Sequence, residues 1–550
     1  MARSAVQTAD VVVVGAGHNG LVAAAYLAAA GLEVIVLEAR EVIGGNTVTE
    51  ELTLPGYRHD SCSSAHVLIQ SNPLIRDDEL GLGRYGLSYA HPDPAVVMRL
   101  RDGSSLVMHR DPAATAKEIA VRSAQDAQAY LRLHEEWESD LKAPHGRWNA
   151  GMLDPGTRAA DRRYAELRER SAYAVVHERF ADEGVRDFLL WLAFATIQRP
   201  DRAGTGILPY AITTGRSRFG WAMPIGGSGA LPRALARLVE DRGGAVLTGR
   251  PVEAILVADG RASDVRCAGG EVYAARRAVV SSAHLTRLAD MIEGGAAPDA
   301  ALAARGAWRP GLTLFAVHLA LRAGLRFPLT PGAAAGAEGG VARGGIAAAA
   351  GGIGSVAGLT AQIDAFDRGE TYAADPWILV VCPSAVDDTR APDGRATAKL
   401  LTIAPYRLAG GRDWDVERDR YAAALLARAA GRVGGLDDGN VLAVRAESPA
   451  DLERRNPHNV GGSCHGGEFV DGDFGHGEFG RAHSSRGEFA NAGDRPTVPG
   501  WSGAALLPGL YPTGATVHPG GSVSGRPGRN TARRVLTDLG LDPSRVMSPD

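Results

Sequence analysis

Residues 9–40, ADVVVVGAGHNGLVAAAYLAAAGLEVIVLEAR, constrain the fold more than any other stretch of the chain. Four consecutive valines form the uninterrupted apolar run expected of a parallel strand covered on both faces. Gly15, Gly17 and Gly20 follow in the Gly-x-Gly-x-x-Gly spacing, which permits a sharp turn, close approach of a pyrophosphate, and tight packing of helix on strand. The alanine-rich segment from His18 predicts a helix whose unpaired N–H groups and positive dipole end face that pyrophosphate, with Ala16 and Asn19 in the same turn. A second strand ends at Glu38, about twenty residues on, where a carboxylate accepts hydrogen bonds from a ribose. Strand, glycines, helix and acid in this order predict a dinucleotide-binding unit, whereas the glycine spacing alone is weak.

The rest of the composition narrows the class. At 550 residues the chain is too long for one simple core. With 59 Lys and Arg against 63 Asp and Glu it has no sequence-wide footprint for nucleic acid, which we do not expect as a partner. Cys62, Cys267, Cys382 and Cys464 form neither a disulfide framework nor a paired Cys-x-x-Cys pattern, which fits a reducing, cytoplasmic compartment. The first ten residues, MARSAVQTAD, show no apolar export core. Gly31 and Glu33 divide the long apolar stretch into a buried helix and a buried strand, so no transmembrane helix is expected.

Two later blocks share the character of the first. Residues 220–284 contain a glycine turn, a helix with Leu231, Leu235 and Leu238 on its apolar faces, alternating strands, and RRAVVSSAH. Residues 506–540 contain GLYPTGATVHPGGSVSGRPGRN, read as a strand, a glycine-rich turn and a helix starting near Arg529. Together with Glu38-Ala39-Arg40 and the Gly44-Gly45 pair, these blocks resemble the phytoene desaturase-like branch of the FAD-dependent oxidoreductases, in a superfamily shared with flavin amine oxidases.

The resemblance implies an α/β fold, a Rossmann-like FAD-binding domain with a discontinuous α+β substrate domain. Residues 1–75, 220–285 and 500–550 would form the first domain, and residues 76–219 and 286–499 the second. It implies FAD as cofactor, with Gly44, Gly45, Asn46 and Thr47 beside the phosphates, Ala39 and Arg40 toward the adenosine end, and Val252 on the adenine through its backbone. Ser282 approaches the nucleotide, and Gly514, Ala515, Gly521, Ser522 and Val523 lie by the flavin. Family members often carry arginine after the glycine pair; Asn46 departs from this, leaving that contact to backbone N–H groups.

The implied chemistry is dehydrogenation or desaturation of an organic, largely apolar substrate, isoprenoid-like or smaller. Two alternatives stand: a flavin amine oxidase using oxygen, and a redox-neutral isomerase or FAD-binding protein. A twenty-carbon isoprenoid would gain roughly 16 kcal/mol gross on burial at ~0.8 per carbon, so a lipid substrate requires a long apolar tunnel. The apolar segment 187–198, DFLLWLAFATIQ, is read as a core helix, with a channel wall or peripheral contact with a membrane as the other readings. A homo-oligomer also stays open.

His518 is the first candidate base, the competing reading being that it fixes its turn. His465 and Glu468 are further candidates, while His59 and Asp60 are read as shaping the loop over the flavin. The Ala/Gly-rich run 331–358 contains a stray Gly352-x-Gly354-x-x-Ala357 with no apolar strand before it, and a loop is expected there.

The segment 465–489, HGGEFVDGDFGHGEFGRAHSSRGEF, repeats Gly-Glu-Phe every ten residues. His465, His476 and His483 have no recognised ligand spacing, so no metal is assigned. A long loop is expected, with Cys464 to Phe469 lining the substrate site and the copies around Glu478 and Glu488 extending over the surface or toward a partner subunit.

Overall fold

The valine run does form a doubly covered strand. In the computed structural model, which describes residues 7–152, 156–329, 345–469 and 504–550, Gln7–Val14 is central in an eight-stranded sheet. It pairs in parallel with Val34–Leu37 and with Val272–Ser281, which in turn pairs in parallel with Leu510–Pro512. Alternation along the strand divides its side chains. Val11 and Val13 join the core beneath helix His18–Ala29, and Val12 and Val14 join the opposite one.

Register brings the site together. Val14 is opposite both Leu37 and Ser281, and Ser281 is opposite Pro512. Four chain segments therefore leave the sheet at one edge, delivering Gly15, Glu38, Ser282 and Thr513 side by side, at the carboxyl ends of strands where α/β sheets bind ligands. Helix His18–Ala29 packs on helices Ala230–Asp241 and Arg526–Asp538. Gly528 permits the second contact, since a Cβ there would meet the Asn19 carbonyl oxygen at 2.3 Å. That last helix starts at Arg526 rather than near Arg529, because Pro527 lies in its first turn, where a fixed φ and a missing N–H cost nothing.

A second sheet, of seven strands, runs in the order Val441–Glu447, Leu314–Leu321, Ala396–Ile403, Ile378–Val381, Ala350–Ile353, Val96–Arg99, Ser105–Met108. Its two faces are covered differently. Phe315, Val317 and Leu400 pack toward helix Trp414–Ala430. Leu314, Leu379, Val381 and Leu401 face a layer of helices that includes Glu183–Phe194 and Leu208–Phe219. The segment read as a core helix is one only as far as Phe194, with Ala195, Thr196 and Ile197 beyond its end lining a cavity: Phe188 to Phe194 are buried, and the Trp191 indole donates to the Ile378 carbonyl at 3.3 Å.

The Ala/Gly-rich run departs from its expected loop. Residues 330–344 lie outside the described residues, but Ala350–Ile353 is a buried strand parallel to Val96–Arg99, and Ser355 caps helix Val356–Asp367. Aromatic rings press on both faces of that strand. A Cβ at Gly351 would meet the Phe327 ring at 2.2 Å, and one at Gly352 would meet Trp191 at 2.0 Å. The glycines are there for close packing, a role that mimics loop composition.

Candidate functional site

A cavity of about 580 Å³ is bounded by both sheets. From the first sheet's edge it is lined by Gly15, Gly17, Asn19, Gly20, Glu38, Ala39, Arg40, Gly44, Gly45, Asn46, Thr47, Val252, Ser282, Gly514, Ala515, Ser522 and Val523. Two residues expected with them, Ala16 and Gly521, do not line it. Ala16 donates its N–H to the Glu38 carboxylate at 2.8 Å, and the other Glu38 oxygen accepts from the Arg40 N–H at 3.0 Å. A Cβ on Gly521 would lie 1.9 Å from the His465 carbonyl oxygen, so this glycine lets the 464–467 segment pack on the C-terminal turn.

Several features leave this edge open to a dinucleotide. Helix His18–Ala29 begins at Gly17 with no side-chain cap, so its first-turn N–H groups are available to an anion. Gly15 has φ +91°, and a Cβ there would lie 2.2 Å from the Ser282 hydroxyl; one at Gly20 would lie 2.2 Å from the Gly15 carbonyl oxygen. The buried His18 Nε2 and Asn19 Oδ1 have no hydrogen-bond partner among the described residues. Thr47 Oγ1 bonds His18 Nδ1 at 3.0 Å. Asn46, in the place of the family's arginine, exchanges amide hydrogen bonds with Asn459 at 2.7 and 3.1 Å and donates to the Cys464 carbonyl at 3.2 Å. It ties the glycine pair to the loop that carries His465.

The second sheet supplies Leu314, Leu379, Val381 and Leu401, and the helical layer supplies Trp137, Ile197, Ile212, Phe219 and Trp221. Lys399 shares the face of Leu401, two residues along the strand. Its ammonium donates to the carbonyls of Cys62 at 2.6 Å and Asp60 at 3.0 Å, and burial lowers its pKa below the ordinary lysine value. Cys62 and Cys464, free thiols, both line the cavity. The neighbouring Cys464 thiol, with the Lys399 ammonium, holds Cys62 below the usual thiol range, whereas Cys62 and burial push Cys464 above it against the pull of Lys399.

The candidate bases fare unequally. His465 lines the cavity, its Nε2 has no partner among the described residues, and burial pushes its pKa down to about 4. His518 does not line the cavity. Its Nε2 donates to the Trp148 carbonyl at 2.5 Å, its ring stands edge-on to Trp148, and burial lowers its pKa to about 3. Glu468 begins a two-residue strand and pairs through its backbone with Arg309, so the segment expected to line the substrate site turns into a short ribbon after Gly467. The rest of the repeat, with His476, His483, Glu478 and Glu488, lies outside the described residues.

His59 and Asp60 belong to a buried polar network. Asp60 accepts from Arg390 at 2.6 Å, Thr49 at 2.6 Å and the Ser228 N–H at 2.9 Å. Burial alone would raise the Asp60 pKa, but Arg390 and these donors hold it below the usual carboxylate range. His59 bonds Thr53 at 2.8 Å and meets His318 edge-on. His318 in turn bonds Glu447 at 3.0 Å, and Ser61 donates to the same carboxylate at 2.8 Å.

Lys399 and the Cys62–Cys464 pair escape a reading of the sequence. The available signal for Lys399 is a lone lysine inside the apolar strand ATAKLLTI; nothing local joins two cysteines 402 positions apart.

Comparison with known proteins gives a family and a fold. A family profile described as "Flavin containing amine oxidoreductase" matches residues 20–325, more than half of the chain. The chain is 29% identical to mouse "Pyridine nucleotide-disulfide oxidoreductase domain-containing protein 2", over 96% of this chain and 94% of the relative. It is 26% identical to a limonene dehydrogenase polypeptide of Castellaniella defragrans, over 98% and 96%. It is 30% identical to the "zeta-carotene-forming phytoene desaturase" of Myxococcus xanthus, over 48% and 52%. Among solved structures, a putrescine oxidase variant redesigned in its cofactor binding shares the fold with a TM-score of 0.60 at 15% identity, covering 97% of this chain and 100% of that one. Among the described residues no helix is long and apolar enough to cross a membrane.

Proposed function

Since the chain belongs to the flavin containing amine oxidoreductase family and is an FAD-dependent oxidoreductase, we propose that it is a dehydrogenase or desaturase that takes a hydride from a largely apolar organic substrate. The observation that carries this reading is one cavity shared by the glycine-lined sheet edge and the apolar face of the second sheet. In this reading the eight-stranded sheet and its helices form the FAD-binding domain, and the seven-stranded sheet with the helical layer forms the substrate domain.

The first-turn N–H groups of helix His18–Ala29 and the backbone at Gly44–Gly45 would hold the pyrophosphate, Glu38 the ribose, and Val252 the adenine. Ser282, Gly514, Ala515, Ser522 and Val523 would take the flavin end. When bound, the flavin supplies a two-electron acceptor for a substrate hydride. Leu314, Leu379, Val381 and Leu401 seat the apolar body and exclude water. Hydride loss leaves the neighbouring C–H acidic, so a weak base suffices to complete the double bond. Neutral His465, which lines the cavity and whose buried Nε2 has no partner among the described residues, is in the form that accepts that proton. His518, bonded to Trp148 behind the wall, is a positioning residue for the turn.

Amine oxidation is less well supported. The acidic residues lining the cavity are engaged: Glu38 with two backbone N–H groups, Glu138 with Lys142, and Asp550 with Arg526. None of these carboxylates is left to hold a substrate ammonium. Product mass tests the proposal. FAD-loaded protein incubated with apolar alkenes should yield products two hydrogens lighter; products of unchanged mass, or turnover confined to amines, would overturn it.

A further inference from the structure

We propose that the substrate enters this cavity as an amphipathic acid whose carboxylate is bound by Arg216 and Trp221. The inference rests on reading the cavity as a substrate site and names the class of molecule that site takes.

Arg216 projects from helix Leu208–Phe219 and is 9% exposed. Its guanidinium carbon lies 3.6 Å from the centroid of the Trp221 ring, and both residues line the cavity. Three buried donors in this pair, Arg216 Nε and Nη1 and Trp221 Nε1, have no acceptor among the described residues. Other cations lining the cavity are differently placed. Lys142 pairs with Glu138, Arg40 with Glu50, Arg526 with Asp550, and Lys399 with two carbonyls, while Arg218 is exposed. Burial, with no opposing carboxylate, lowers the Arg216 pKa to about 9, as expected of a cation that lacks its counter-charge.

A buried charge without a partner is costly, and a bound ligand of opposite charge would offset that cost. One face of the guanidinium is covered by the indole, which leaves the donor-bearing edge for a planar acceptor. A carboxylate fits that edge with parallel hydrogen bonds, its single charge matching the single arginine. The same cavity is lined by the apolar Ile197, Ile212 and Phe219, the last two on the helix that carries Arg216. A molecule satisfying both has a carboxylate at one end and a hydrocarbon body. The phosphates of the dinucleotide have a separate cradle in the glycine turns and the uncapped helix start, whereas Arg216 belongs to the helical layer over the second sheet.

The test is calorimetric titration of the FAD-loaded full-length protein with decanoate, decan-1-ol and decyl phosphate. Decanoate should bind at least about tenfold more tightly than decan-1-ol, as a charge-assisted hydrogen bond provides, and more tightly than decyl phosphate. R216M should lose the acid-over-alcohol preference while binding decan-1-ol as before and retaining its FAD. R216K should keep a reduced preference, and W221F should diminish it. Equal affinity for acid and alcohol in the unmodified protein, a preference unchanged in R216M, or tighter binding of decyl phosphate would overturn the proposal. So would loss of FAD from R216M, which would assign the arginine to the cofactor. Binding is read without turnover: a protein that shows the predicted preference yet never reduces its flavin supports this inference while sinking the dehydrogenase reading.

Discussion

Glu38 shows what one side chain does here. Its two oxygens accept from the N–H groups of Ala16 and Arg40, holding the glycine turn and the second strand's exit in one geometry. Replacing it with alanine leaves the Ala16 N–H without its acceptor and removes the proposed ribose contact. We expect Glu38→Ala to weaken FAD retention about tenfold or more, measured as flavin per chain after dialysis; unchanged retention would remove Glu38 from the cofactor site. This residue was legible because spacing alone puts an acid at a strand end after a glycine turn. Lys399 and Arg216 were not: the carbonyls that hold Lys399 lie more than 300 positions away, and the helical pattern around Arg216 does not distinguish a buried arginine from a surface one. His518 shows the reverse: its motif is specific, yet its ring points to Trp148 and outside the cavity lining.

At the scale of elements, the strand Ala350–Ile353 is the informative case. Gly352 permits Trp191 to press against the strand, and that ring donates to the Ile378 carbonyl. Gly352→Ala should destabilise the protein by about 1–3 kcal/mol through overpacking, read by urea denaturation. Combining it with Trp191→Leu should cost less than the sum of the two changes; simple additivity would show that the contact is not what limits the position. The valine strand, its helix and the C-terminal glycine block were readable because their signals are local and ordered. The Ala/Gly run was not, because its strand depends on two aromatic rings supplied by distant elements. The resemblance to the phytoene desaturase-like branch holds in the relatives found, and it carried the later blocks where periodicity was weak.

At the scale of the molecule, buried ionisable groups tie segments far apart in sequence and set the response to acid. Arg390 and Asp60 are paired with fully buried side chains. Arg390→Met strands the Asp60 charge and should cost about 3–5 kcal/mol, whereas Arg390→Met with Asp60→Asn should recover part of it; equal losses would show that the pair is not the source. His284 and His518 are held neutral, burial lowering their pKa values to about 2 and about 3. Below the ordinary histidine pKa the unfolded chain binds protons that the folded one refuses, so stability falls as pH drops from about 7 to about 5, before the depressed carboxylates Asp60 and Glu447 begin to protonate. Each such histidine contributes up to about 2 kcal/mol of this loss at about pH 5. The Tm should therefore decline over that interval, and less steeply in His518→Asn; a flat profile would contradict the burial argument. Electron transfer from an apolar substrate in this cavity to FAD is tested most directly by anaerobic mixing of FAD-loaded protein with alkene-bearing apolar compounds. Bleaching of the visible flavin band together with one dehydrogenated product per flavin is expected; product formed while the flavin stays oxidised throughout would contradict this transfer.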